Sequence, residues 1–160
     1  MWTFMSPTRG TMNLDDVAAD ITAQVARYPQ DVFKIMVGTD SQPKWGERAV
    51  VFVTAVIVHR VGHGGTYYVH RERQPYIPSL RQRMFMEASY SLQVGTALEE
   101  ALLRAGLELS IEVHLDVGDH GETKQWIREI VAWITANGYE ARVKPDSFGA
   151  SKVADRYTKQ

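Results

Sequence analysis

Apolar residues recur along this chain with two different periods, and the switches between them mark its elements. Leu14, Val17, Ala18, Ile21, Val25 and Tyr28 fall at helical spacing, with Asn13 as an N-cap, Asp15 and Asp16 in the first turn, and Pro29 as the stop. That predicts a packing helix. Val32 to Val37 reads as a first strand, β-branched and aromatic apart from one lysine, and its apolar character ends at Gly38-Thr39-Asp40-Ser41-Gln42. A turn-rich connection, Pro43-Lys44-Trp45-Gly46-Glu47, leads to a second strand from Arg48 to Arg60. Val50 to Val58 is apolar on both faces, as an interior strand requires. Gly62-His63-Gly64-Gly65 signals a hairpin turn, and Thr66 to Arg73 alternates as a third, more polar strand suited to a sheet edge.

Pro75 and Pro78 then break the chain, and Ser79 caps a long helix that runs to about Ala105, with Gly106 as its stop. Leu80, Met84, Ala88, Ser91, Leu92, Gly95, Leu98 and Leu102 form its core stripe, and Glu87 lies at the margin of that face. A fourth strand alternates, with Leu109, Ile111, Val113, Leu115 and Val117 on one side and Ser110, Glu112, His114 and Asp116 on the other. A helix from Glu122 to Asn137, a short strand from Tyr139 to Val143, and a helix from Phe148 to Thr158 capped by Asp146 or Ser147 complete the order.

This order predicts an α/β fold. Hairpins join strands one to three into an antiparallel meander, and helical crossovers set strands four and five parallel to strand one. The expected sheet has five strands in the order 3-2-1-4-5, helices on both faces and an added N-terminal helix. Residues 1–29 form an arm and packing helix, and residues 30–160 the domain proper. A site belongs in the crevice at the carboxyl ends of strands one and four, where Asp40 and Asp116 fall.

Composition narrows the chemistry. With 160 residues, 44% of them hydrophobic and 23% charged, the chain suits one soluble domain. It has no cysteine, so a metal here would be held by oxygen or imidazole. A net charge of −1 excludes indiscriminate coating of nucleic acid but leaves room for a local basic strip. No run is long enough to span a bilayer and the first ten residues lack a secretory pattern, so the expected location is cytoplasmic. Asp119-His120-Gly121-Glu122-Thr123-Lys124 opens a helix but lacks P-loop spacing.

The element order and the motifs Val37-Gly38-Thr39-Asp40-Ser41-Gln42, His114-Leu115-Asp116-Val117-Gly118 and Lys144 to Asp155 resemble the ribonuclease H-like fold, and within it the YkuK-type bacterial family. The resemblance covers about residues 30 to 159. It implies metal-binding, catalytic acids at Asp40, Glu87, Asp116 and Asp155, with Asp40 bridging two ions of Mg²⁺ or Mn²⁺. Two such cations about 4 Å apart stabilise both the attacking and the leaving oxygen of a phosphodiester, which makes a nuclease the expected activity and nucleic acid the expected partner. There is no extra basic helix inserted after the second helix and no histidine in the loop before the last helix, which departs from the well-known hybrid-cleaving ribonucleases H.

Around these acids, Ser41 and His114 are candidate supporting residues, and Arg71, Arg73, Arg81, Arg83, Lys152 and Arg156 candidate phosphate contacts. Read one at a time, the same residues also suit turns, caps and solvated charge, with Glu87 paired to Arg83. Two rival functions stay open: a nucleic-acid-binding or assembly protein that does not turn over, and a phosphate-ester hydrolase acting on nucleotides.

Overall fold

The structure is a computed structural model that describes residues 2–116, 123–143 and 150–158, apart from the side chains of residues 150–152 and 155. Val117 at the end of the expected fourth strand, the segment Asp119–Glu122, and the Asp146 or Ser147 cap with Phe148 lie outside the described residues. So does Lys159.

Local chemistry explains the helices. Asn13 accepts from the Asp16 amide at 2.8 Å while Asp16 accepts from the Asn13 amide at 2.9 Å, a reciprocal cap that starts α1 (Leu14–Arg27). Ser79 accepts from the Gln82 amide at 3.1 Å and starts α2 (Leu80–Arg104), after which Gly106 takes a left-handed φ of 84°. α3 (Lys124–Ala136) and α4 (Ala150–Thr158) follow later in the chain. No described helix is long and apolar enough to cross a membrane.

The strands depart from expectation in number and extent. β1 (Thr3–Ser6) and β2 (Gly10–Asn13) form a hairpin ahead of β3 (Phe33–Lys44), β4 (Ala49–Arg60), β5 (Gly64–Pro75), β6 (Ile111–His114) and β7 (Glu140–Arg142). The sheet therefore has seven strands rather than five, and its order, β2-β1-β5-β4-β3-β6-β7, differs from the expected one by the β1–β2 hairpin added beyond β5. The third expected strand, β5, is not an edge, because β1 pairs with it antiparallel at Met5 and Val69. Phe4 and Ser6 are buried on alternate positions of β1, so the arm adds apolar cover where the sequence reading left a bare edge.

Strand lengths differ sharply. β3, β4 and β5 each hold twelve residues and pair in full antiparallel register, from Phe33–Arg60 to Lys44–Ala49 and from Ala49–Pro75 to Arg60–Gly64. Parallel pairing of β6 to β3 stops at Gly38–His114. One face of the sheet packs Ile35, Val37, Val56 and Tyr68 against Val17, Ile21, Leu98, Ile130 and Ile134 of α1, α2 and α3. The other packs Val51, Val53, Ala55 and Val69 against Val153 and Ala154 of α4.

Candidate functional site

The crevice arises because β3 outruns its neighbour. Beyond Gly38 the strand continues beside β4 to Lys44, while its pairing with β6 ends at His114. Asp40 therefore sits inside a strand and not at its end, a correction to the sequence reading that follows from the apolar partner: Ala49 to Val53 holds Asp40 to Lys44 extended. Asp116 lies two residues past the shorter strand β6.

Alternation along β3 sends consecutive residues to opposite faces. Thr39 and Ser41 turn toward α2. Thr39 Oγ1 lies 2.7 Å from Ser91 Oγ and 3.0 Å from Thr54 Oγ1, and Ser41 Oγ donates to Glu87 Oε2 at 2.5 Å. The match is one of pitch, since four helical residues rise about 6 Å and two strand residues about 6.6 Å. Arg83, one turn before Glu87, donates from Nε to Ser41 Oγ at 3.2 Å, so its guanidinium acts on Glu87 across the serine. The expected direct Glu87–Arg83 pair is replaced by this relay.

Asp40 turns the other way, toward α4. Its Oδ2 accepts from Thr158 Oγ1 at 2.9 Å, and Lys44 Nζ donates to the Thr158 carbonyl at 2.8 Å. Arg71 lies on the same face, in register with Asp40 through Val53, and donates to the Tyr157 carbonyl at 3.2 Å. Two cations thus hold the last carbonyls of α4, the negative end of its dipole, beside an acid. Thr158 and Lys44 were not singled out from the sequence, where 114 residues separate them and no periodicity links them.

Glu87 stands within the field of two acids from other elements, Asp40 and Asp116. Glu87 as a residue is half-buried, packing around its carboxyl is dense, and its pKa is pushed up to about 8. Loss of water is the largest cause; the Ser41 hydrogen bond and Arg83 oppose it, while the charges of Asp40 and Asp116 add to it. Glu87 and Asp116 line one narrow cleft with Thr39, Met84, Ser91, Leu115 and Ile130. Among the described residues, no three Asp, Glu or His side chains are set close enough to hold a metal ion as the chain stands. Asp155 belongs to α4, whose end touches Asp40, and its side chain lies outside the described residues, as does that of Lys152.

His114 is buried, with Nε2 at 3.2 Å from Glu112 Oε1, and its Nδ1 has no hydrogen-bond partner among the described residues. Glu112 is also approached by Arg142 at 3.5 Å on the β6–β7 side. The basic residues divide. Arg73 pairs with Glu47 at 2.5 Å, Arg81 with Glu129 at 3.3 Å, Arg71 and Arg83 engage α4 and Ser41, and Arg156 is exposed.

A mixed sheet flanked by helices, with acids on its central strand, on the first crossover helix and after the next strand, defines a ribonuclease H-like protein. The chain matches the Ribonuclease H-like family over residues 16–159 and belongs to it. It is 34% identical over 169 residues to the uncharacterized protein YkuK of Bacillus subtilis (strain 168), an alignment covering 98% of this chain and 96% of that protein. No solved structure matches it.

Proposed function

We propose that this protein is a divalent-metal-dependent phosphodiesterase acting on nucleic acid. The observation that carries the reading is that Glu87 and Asp116 line one narrow cleft while Ser41, the neighbour of Asp40 in β3, donates to Glu87. Carboxylates drawn into mutual repulsion in a partly dry cleft are a donor set that fits a hard cation. Asp40, Glu87 and Asp116 would hold Mg²⁺ or Mn²⁺, with Asp155 as the fourth acid. A divalent ion bound there supplies charge neutralisation at a phosphodiester and acidifies water. The chain's own residues prepare the groups: Ser41 orients Glu87 through Oε2, Arg83 steadies Ser41, and Thr158 orients Asp40 through Oδ2.

Calorimetric titration with Mn²⁺, followed by cleavage assays on single strands, duplexes, hybrids and junctions, tests this. Wild type is expected to bind Mn²⁺ at millimolar or lower concentration and to cut at least one substrate, and Asp40→Asn to lose both. Cleavage unchanged in Asp40→Asn and Glu87→Gln would place the chemistry elsewhere. The second reading, a nucleic-acid-binding protein without turnover, is favoured by the spacing of the described acids, which do not enclose an ion as they stand. Nucleic-acid binding that needs no metal, with no cleavage of any substrate, would establish it instead.

A further inference from the structure

Just past the candidate site, the turn that ends β3 presents an aromatic pair to solvent. Trp45 is 71% exposed, more than any other large apolar side chain described, and Tyr76 is 39% exposed. Their ring centroids lie 5.2 Å apart at an interplanar angle of 54°. The pair is braced from below. Tyr76 donates its amide to the Arg48 carbonyl at 3.0 Å, and Arg73 grips the same turn through the Glu47 carboxylate at 2.5 Å and the Glu47 carbonyl at 3.4 Å. Glu47, the acid of that turn, has its pKa lowered first by Arg73 and then by Lys44 and Arg71, so a single carboxylate stands among several cations. Arg48 adds another exposed guanidinium.

Exposed aromatic faces within a field of fixed positive charge are the combination that takes unpaired bases, because every base has a face to stack and every nucleotide a phosphate to neutralise. A duplex hides those faces. From Trp45 back to Asp40 is five residues of nearly extended chain, about 16 Å, or about five nucleotides at stacked spacing. We propose that Trp45 and Tyr76, flanked by Lys44, Arg48, Arg71 and Arg73, form a stacking platform for single-stranded nucleic acid that leads along β3 toward Asp40. This rests on the nucleic-acid reading above and assigns its substrate class.

The full-length protein in EDTA at low ionic strength should be titrated with DNA and RNA single strands of about 12 nucleotides, the same strands made abasic, and a blunt duplex. Tryptophan quenching and anisotropy both report binding. The intact strands are expected to bind at least about tenfold more tightly than the abasic strands or the duplex, and Trp45→Ala to erase that margin. Trp45→Phe should retain most of it while losing part of the quench. Equal affinity for intact and abasic strands, or a folded Trp45→Ala that binds like wild type, overturns the platform. So does absence of binding together with self-association abolished by Trp45→Ala, which would make the pair a contact between copies. Addition of Mn²⁺ separates the two ideas. Trp45-dependent binding without cleavage removes the nuclease and keeps the platform, and cleavage indifferent to Trp45 does the reverse.

Discussion

The antiparallel and parallel halves of the sheet are built to different lengths. β3, β4 and β5 are twelve residues each and stay paired end to end, whereas β6 has four residues and β7 three. The long half carries its own order in its ladder and in side chains such as Ile35 and Val56, which have no exposed surface. The short half relies on α3 and on the Glu112–Arg142 group for its cover. Where the two lengths disagree, a crevice opens, and the candidate acids stand around it. The lesson is that the site is a mismatch in strand length, occupied by polar residues because no neighbour fills it.

Asp40→Asn should have the largest effect. It removes an acid from the overhanging part of β3, and Mn²⁺ affinity and cleavage are expected to fall by more than the roughly 10–100-fold that loss of a supporting partner costs. Calorimetry and a cleavage assay check it. Ile35→Ala attacks the long half itself, at a side chain in register with both Val58 and Ile111. It should cost about 2–5 kcal/mol in denaturant unfolding, against no more than about 0.5 kcal/mol for Glu140→Ala on the exposed short half.

Glu87→Gln sharpens the comparison at the crevice. The Glu87 pKa is raised in the fold from 4.5 to about 8, so between those values the native state holds a proton that the unfolded chain has released. Stability therefore falls as pH rises through that window. In EDTA the variant should match wild type near pH 4 and exceed it at pH 8 to 9, by on the order of a few kcal/mol. Urea melts at both pH values give the answer, and a wild type equally stable at each would remove the buried acid from the account. A smaller effect than that of Glu87→Gln belongs to the arm. Gly10→Ala meets no neighbour within 4 Å but must adopt φ of +74°, which should cost about 1 kcal/mol and appear as faster amide exchange in residues 3–13.

Much of the fold was legible where local signals agree with tertiary structure. Asn13 and Ser79 act as the caps that their position suggested, and Gly106 terminates α2 in a left-handed conformation. The N-terminal hairpin was missed because its strands have four residues each and only Phe4, Ser6 and Met12 buried among them, too short a run to show a period. Its available signal was Pro7-Thr8-Arg9-Gly10, a turn cluster between the two runs. β3 was cut short because Gly38 to Lys44 is polar and contains Pro43, so its own residues favour a turn while β4 imposes extension. Topology suggested one pocket for Asp40, Glu87 and Asp116, whereas the structure sets Glu87 and Asp116 on one cleft and turns Asp40 to α4. Their approach from opposite sides of the strand could have been read from alternation, which sends Ser41, not Asp40, to the helix that carries Glu87.

That alternation fixes what changes of length the chain tolerates. Asp40 and Ser41 are adjacent residues serving different helices, so one residue added or removed between Phe33 and Asp40 exchanges their places and turns a hydroxyl to the face where Asp40 now meets α4. Such an indel is absorbed only by a bulge, or by a second one that restores parity. Surface turns such as Trp45–Glu47 carry no such parity constraint.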